Sequence, residues 1–155
     1  MLTVIIRNLF TKKRLTHFNI ISILTGLDEA DALFSKLVKA IRHHIQEQST
    51  RSDTLQLALV LVAGSDNVNQ NGLNGYFMSN DISATLFNVL AEENFTETSN
   101  ENGHRDIVML LGMLSNYNKY EYRNPYLSHL KQTKQLKALE VLNAWQNYEY
   151  IVLIA

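Results

Sequence analysis

The chain contains no cysteine, one proline and six glycines in 155 residues. Without cysteine there are no disulfides, thiolate nucleophiles, iron–sulfur clusters or cysteine-bound zinc sites, which is compatible with a reducing compartment. With so little proline and glycine, few breaks interrupt long periodic segments, and this favours an all-helical fold. A dominant charge is missing too. Fourteen Lys and Arg against fifteen Asp and Glu give a net charge of −1, too little to attract nucleic acid or anionic lipid over long range. The longest charge-free apolar stretch, residues 57–64, falls far short of the roughly 20 residues that cross a bilayer.

At 46% hydrophobic residues, the chain can bury one sizeable core, so a single helical region spanning residues 1–155 is expected. The first ten residues are apolar, but the basic cluster Lys12-Lys13-Arg14 follows the apolar run instead of preceding it. That order argues against a signal peptide and for a cytoplasmic chain. Asn94-Phe95-Thr96 matches a glycosylation acceptor, which without secretion is an unused sequon.

Helical periodicity runs through most of the sequence. Ala30, Leu33, Phe34, Leu37, Val38, Ile41 and Ile45 recur at spacings of three and four, placing them on one stripe of a helix that Asp28 could cap. Residues 17–25 form a shorter candidate. Residues 54–63 are apolar almost without interruption, which fits a buried helix capped by Ser52 or Asp53. Leu73, Tyr76 and Phe77 predict a short helix, and Ile82, Leu86, Val89 and Leu90 predict another beginning near Asn80 or Asp81. Residues 92–103 hold four glutamates, three asparagines and one aromatic residue, too little apolar surface to offset the entropy of ordering, so a mobile acidic loop is expected. Ile107, Leu110, Leu111, Leu114 and Tyr117 resume helical spacing, widened by Val108 and Met113. Asn124-Pro125 reads as an N-cap followed by proline at the first helical position. A last helix would use Leu136, Leu139, Leu142 and Trp145, before an apolar tail over 148–155.

Short amphipathic helices in series suggest antiparallel stacking of the armadillo or HEAT kind, with irregular repeats because no clean period near 40 to 47 residues emerges. A plain globular bundle is the other possibility. Such stacks need polar end caps, and both ends here are apolar, so a fragment of a longer array is expected.

The tract Ser65-Asp66-Asn67-Val68-Asn69-Gln70-Asn71-Gly72 invites a metal test. Asn67, Asn69, Asn71 and Gly72 take the first, third, fifth and sixth positions of an EF-hand loop. The match fails at the twelfth, where Met78 replaces the bidentate glutamate, and neutral amides replace the carboxylates that supply affinity. Capping and turn formation are the plainer roles. None of the five histidines, His17, His43, His44, His104 and His129, is paired at a spacing of three or four. His43 and His44 would point about 100° apart on a helix, which reads as helix surface sooner than as a ligand pair. No Gly-x-Ser-x-Gly elbow, Gly-x-Gly-x-x-Gly or phosphate loop occurs. No catalytic residue, metal ligand or cofactor is therefore assigned. The segment from Asn116 to Tyr126 alternates four tyrosines with charges and amides. Exposed tyrosine and arginine are favoured in protein interfaces, which makes Tyr120, Tyr122 and Arg123 candidate binding residues. Their plainer role is to cover a turn, with Tyr117 and Tyr126 completing helix cores.

Taken together, two clusters resemble a known family. The string from Gly64 to Asn71, then Gly103-His104-Arg105-Asp106-Ile107-Val108-Met109-Leu110-Leu111, Asn116-Tyr117-Asn118-Lys119-Tyr120-Glu121 and Asn124-Pro125-Tyr126 are similar to the armadillo-like helical domain-containing protein 3 family. The resemblance runs over roughly residues 15–131 and is strongest over 55–130. Residues 132–155 form a divergent C-terminal helix and apolar tail, within which Leu136 to Ala155 finds no counterpart. Members of that family are longer. The resemblance implies a non-enzymatic scaffold with peripheral association at the Golgi membrane, supporting Golgi maintenance and protein secretion. It also implies two protein partners, the type III beta phosphatidylinositol 4-kinase and a Golgi guanine nucleotide exchange factor for Arf GTPases. The kinase-binding segment lies outside the matched stretch, so no contact residue carries over. Two alternatives stand beside this reading. One is a small helical enzyme or ligand-binding bundle, in which His43 or His44 would meet Asp28 or Asp31 inside a closed pocket. The other is a truncated product without independent function.

Overall fold

A computed structural model describes residues 2–13, 30–64, 72–91, 101–117 and 123–132. They form seven helices: α1 (Leu2–Lys13), α2 (Ala30–Gln46), α3 (Arg51–Gly64), α4 (Gly72–Ser79), α5 (Ser83–Ala91), α6 (Glu101–Asn116) and α7 (Pro125–Gln132). No strand occurs among the described residues, so the all-helical expectation holds. The tract at 65–71, the candidate helices at 17–25 and 136–145, Asp28 and the tail lie outside the described residues. The chain divides into two compact units, residues 1–80 and 81–155.

In the first unit, α1 and α2 both pack on α3, and α4 packs on α2 and α3. This explains the nearly continuous apolar sequence of α3. Leu55, Ala58, Leu61 and Val62 are buried, while Leu57, Leu59 and Val60 are half-buried. A helix with neighbours on several sides needs more than one apolar stripe. On α2 the buried set is Phe34, Val38, Ile41 and Ile45, at spacings of four, three and four. Each contributes about 1.5–3 kcal/mol through removal from water. Leu33, expected on the same stripe, is 41% exposed. It lies about 100° from Phe34 around the helix, beyond the edge of a narrower buried face. Helix α1 was not foreseen as a helix; Ile6 is its buried anchor, and Val4 and Ile5 are exposed.

Helix α3 starts one turn earlier than its expected caps allow. The Thr54 N–H donates to the Thr50 carbonyl at 3.0 Å and the Arg51 N–H to the Glu47 carbonyl at 2.9 Å. Ser52 and Asp53 therefore sit exposed inside the first turn, where Asp53 still complements the positive end of the helix dipole. At the end of α4, Asn80 donates its backbone N–H (2.9 Å) and its side-chain Nδ2 (3.0 Å) to the Tyr76 carbonyl. Asn80 thus closes α4 and does not open α5.

In the second unit, α5, α6 and α7 pack against one another. Most core residues expected for α5 and α6 are buried, Ile82, Leu86, Val89 and Leu90, then Ile107, Val108, Leu110, Leu111 and Leu114, while Met113 and Tyr117 are half-buried. Asp81 Oδ1 accepts the Ser83 N–H at 2.8 Å, satisfying one of the free donors at a helix start. Helix α6 takes in Glu101, Asn102 and Gly103, three residues assigned from composition to the acidic loop. The rest of that loop, 92–100, lies outside the described residues.

Candidate functional site

The tyrosine-rich segment is anchored by a buried amide. Asn124 is 4% exposed, and both ends of its side chain are engaged. Its Oδ1 accepts the Leu127 N–H at 3.0 Å, the N-cap bond that Asn-Pro predicts. Its Nδ2 is shared among the carbonyls of Leu114 (2.7 Å), Ser115 (3.2 Å) and Tyr117 (2.9 Å). A helix leaves four carbonyls unsatisfied at its end and four N–H groups at its start. One residue therefore ends α6 and begins α7. Its own carbonyl accepts the Ser128 N–H at 3.0 Å and the Ser128 hydroxyl at 2.9 Å.

Tyr126, fully buried, extends this joint to α5. Its hydroxyl accepts the Ile82 N–H at 3.2 Å, another free donor beside a helix start. Burial pushes the phenol above its ordinary pKa; the Ile82 N–H pulls it down, and the nearby Asp81 charge pushes it up. A second tie between α5 and α7 runs through His129. Its Nδ1 lies 3.1 Å from Ser83 Oγ, and its ring stacks on Phe87 at 4.9 Å.

Of the three candidate binding residues, Tyr120 and Tyr122 lie outside the described residues. Arg123 is exposed and borders an open depression of about 260 Å³, together with Pro125, Ser128, His129 and Gln132. Ser128 and His129 are already bonded within the protein.

The two histidines of α2 are also bonded within the protein. His43 and His44 are exposed on the last turn of α2. His43 Nε2 lies 3.3 Å from Glu47 Oε1, and His44 Nδ1 lies 3.0 Å from Glu47 Oε2. The bonds from His44 and then Thr50 hold the Glu47 carboxyl below its usual range. Asp31 is engaged elsewhere, accepting the Tyr76 hydroxyl. That hydroxyl bond, partial burial and the Asp31 charge raise the Tyr76 pKa to about 12. Tyr76 also stacks on Phe34 at 5.4 Å, fastening α4 to α2. Among the described residues, no group of three His, Asp or Glu side chains is placed to hold a metal. Asn74 Oδ1 and Ser115 Oγ are buried without a hydrogen-bond partner and lie one in each unit.

Sequence reasoning missed Arg51. It is 8% exposed, and it donates from Nε to the Ile45 carbonyl at 2.9 Å and from Nη2 to the Gln46 carbonyl at 3.3 Å. These are the last carbonyls of α2, which a cation complements through both hydrogen bonding and the helix dipole. The one signal that could have found it is a cation a few residues beyond a helix end.

Among the described residues, no helix is long and apolar enough to cross a membrane. No protein-family model matches the chain, and no solved structure gives a significant match. Three curated proteins do match, all named armadillo-like helical domain-containing protein 3. The zebrafish (Danio rerio) protein is 34% identical over 121 residues, 76% of this chain and 17% of its own length. The human (Homo sapiens) protein is 34% identical over 133 residues, 83% of this chain and 19% of its own. The frog (Xenopus laevis) protein is 31% identical over 156 residues, 96% of this chain and 22% of its own. The chain spans about a fifth of the length of these relatives. With seven helices and no strand among its described residues, the chain is a partial-length match to the armadillo-like helical domain-containing protein 3 family.

Proposed function

We propose that the chain is a non-enzymatic helical scaffold. It would act at the Golgi membrane through protein contacts, supporting Golgi maintenance and protein secretion. The observation that carries the reading is where the polar side chains are spent. Asn124, Arg51 and Tyr126 each bond to backbone at the end or start of a neighbouring helix, a use that shapes a surface and moves no proton. Exposed Arg123 beside an open depression is suited to contact. By resemblance, the partners are the type III beta phosphatidylinositol 4-kinase and a Golgi exchange factor for Arf GTPases, and membrane association is peripheral, through those partners.

A pull-down of the kinase and the exchange factor with this chain, beside a full-length relative, tests the proposal. Capture of at least one partner by both baits is expected. Capture by the full-length protein alone would instead assign binding to the four-fifths of the relatives that this chain does not match, and would favour a truncated product without independent function.

A further inference from the structure

Three of the six glycines follow an asparagine, at Asn71-Gly72, Asn74-Gly75 and Asn102-Gly103. This dipeptide can modify itself. The glycine nitrogen attacks the side-chain amide carbon, a C–N bond forms as the C–NH2 bond breaks, and ammonia leaves behind a five-membered succinimide. Water then opens that ring at either carbonyl, giving aspartate or isoaspartate, so water is consumed, ammonia is released and nothing is oxidised. Glycine favours the reaction because no Cβ crowds the attacking nitrogen and its backbone rotates freely. A helix opposes it twice. Closing the ring needs a rotation about the asparagine Cα–C bond that a helical backbone does not allow, and an N–H held in the helix ladder is not available to attack.

The fold treats these dipeptides differently. Counting the cap residue, the first four N–H groups of a helix have no partner inside it. Gly103, the third residue of α6, is among them, and the first turn is the part of a helix that opens most readily. Gly75, the fourth residue of α4, is the first past them, and Asn74 before it is buried, at 7% exposed. Asn71 lies outside the described residues. We infer that Asn102–Gly103 is a site of self-modification, at which Asn102 converts to aspartate and isoaspartate, while α4 keeps the same dipeptide at Asn74–Gly75 intact. Aspartate at this position adds a negative charge at the positive end of the α6 dipole, where it is favoured. Isoaspartate routes the backbone through the side chain, and the extra methylene breaks the hydrogen-bond spacing of the first turn. Either product alters the start of α6 and leaves its buried face, Ile107, Leu110, Leu111 and Leu114, in place. The inference needs neither the kinase nor the exchange factor and stands apart from the scaffold reading.

The test is incubation of the folded full chain at neutral and mildly alkaline pH, followed by proteolysis and mass spectrometry with fragmentation that localises each amide-to-acid change. Asn102 should be modified, faster at the higher pH because the attacking nitrogen must shed its proton, and its peptide should separate into an aspartate and an isoaspartate form. Asn74 should react at least about tenfold more slowly, since α4 must open first. In urea, where both dipeptides are unfolded, the two rates should converge. Asn102→Gln, whose longer side chain would have to close a less favourable six-membered ring, should remove the change at this position and leave Asn74 as it was. A folded chain in which Asn102 stays intact while the urea-treated chain reacts would overturn the inference. So would Asn74 reacting as fast as Asn102 in the folded chain, or an aspartate form without isoaspartate, which would mark direct hydrolysis.

Discussion

The α2–α3 corner and the α6–α7 corner solve one problem with different chemistry. In each, a buried side chain donates into the last carbonyls of the preceding helix, Arg51 into Ile45 and Gln46 and Asn124 into Leu114, Ser115 and Tyr117. The difference lies in what each residue does for the following helix. Arg51 has only donors to offer, so the start of α3 relies on the backbone, through the Thr50 and Glu47 carbonyls. Asn124 has a donor and an acceptor, so it also caps α7. A neutral amide can thus join two helix ends, where a guanidinium holds only the negative one.

Breaking the amide joint should cost most. Asn124→Ala removes an N-cap worth about 1 kcal/mol and strands buried carbonyls at about 1–3 kcal/mol, so urea denaturation should show a loss of about 3 kcal/mol. Asn124→Asp sharpens the point. It keeps the acceptor for Leu127 but sets a carboxylate against three carbonyls, and it should rescue little of that loss. Arg51→Met keeps most of the side-chain volume and removes two charge-assisted bonds, so the same measurement should show about 2 kcal/mol. Tyr126→Phe deletes one neutral bond to the Ile82 N–H in a buried setting and should cost about 1–2 kcal/mol.

The smallest effect concerns Tyr76. Its folded pKa of about 12 lies above the ordinary value of 10.0, so the neutral phenol is the form that folding favours. The stability it contributes is fully present below pH 10 and is lost as pH rises through about 12. Partial exposure keeps the contribution small. The difference in absorbance at 295 nm between the wild type and Tyr76→Phe, followed through alkaline pH, should reveal one tyrosine titrating late.

The two corners were unequally legible in the sequence. Asn124-Pro125 announces a helix start because an N-cap acts within three residues and proline fixes the first turn. The other half of the Asn124 role was hidden, since its carbonyl partners lie seven to ten residues back and depend on how the chain turns. Arg51 gave less still, because a cation in a polar stretch reads as a solvated charge until the fold places it under the end of α2. The Tyr126–Ile82 and His129–Ser83 pairs span 44 and 46 residues, distances at which periodicity carries no information. Periodicity located the buried face of α2 but not its width, which is why Leu33 was placed on the wrong side of the boundary. Among the candidate contact residues, Arg123 is exposed, and what it contacts depends on a partner.

Amide hydrogen exchange at Leu127 and Ile82 tests the central claim most directly, namely that buried side chains and not solvent satisfy the helix ends of the second unit. Both amides should be protected in the wild type, with Leu127 losing protection in Asn124→Ala and Ile82 losing it in Tyr126→Phe. Exchange of either amide at the rate of an open backbone N–H in the wild type would contradict the claim.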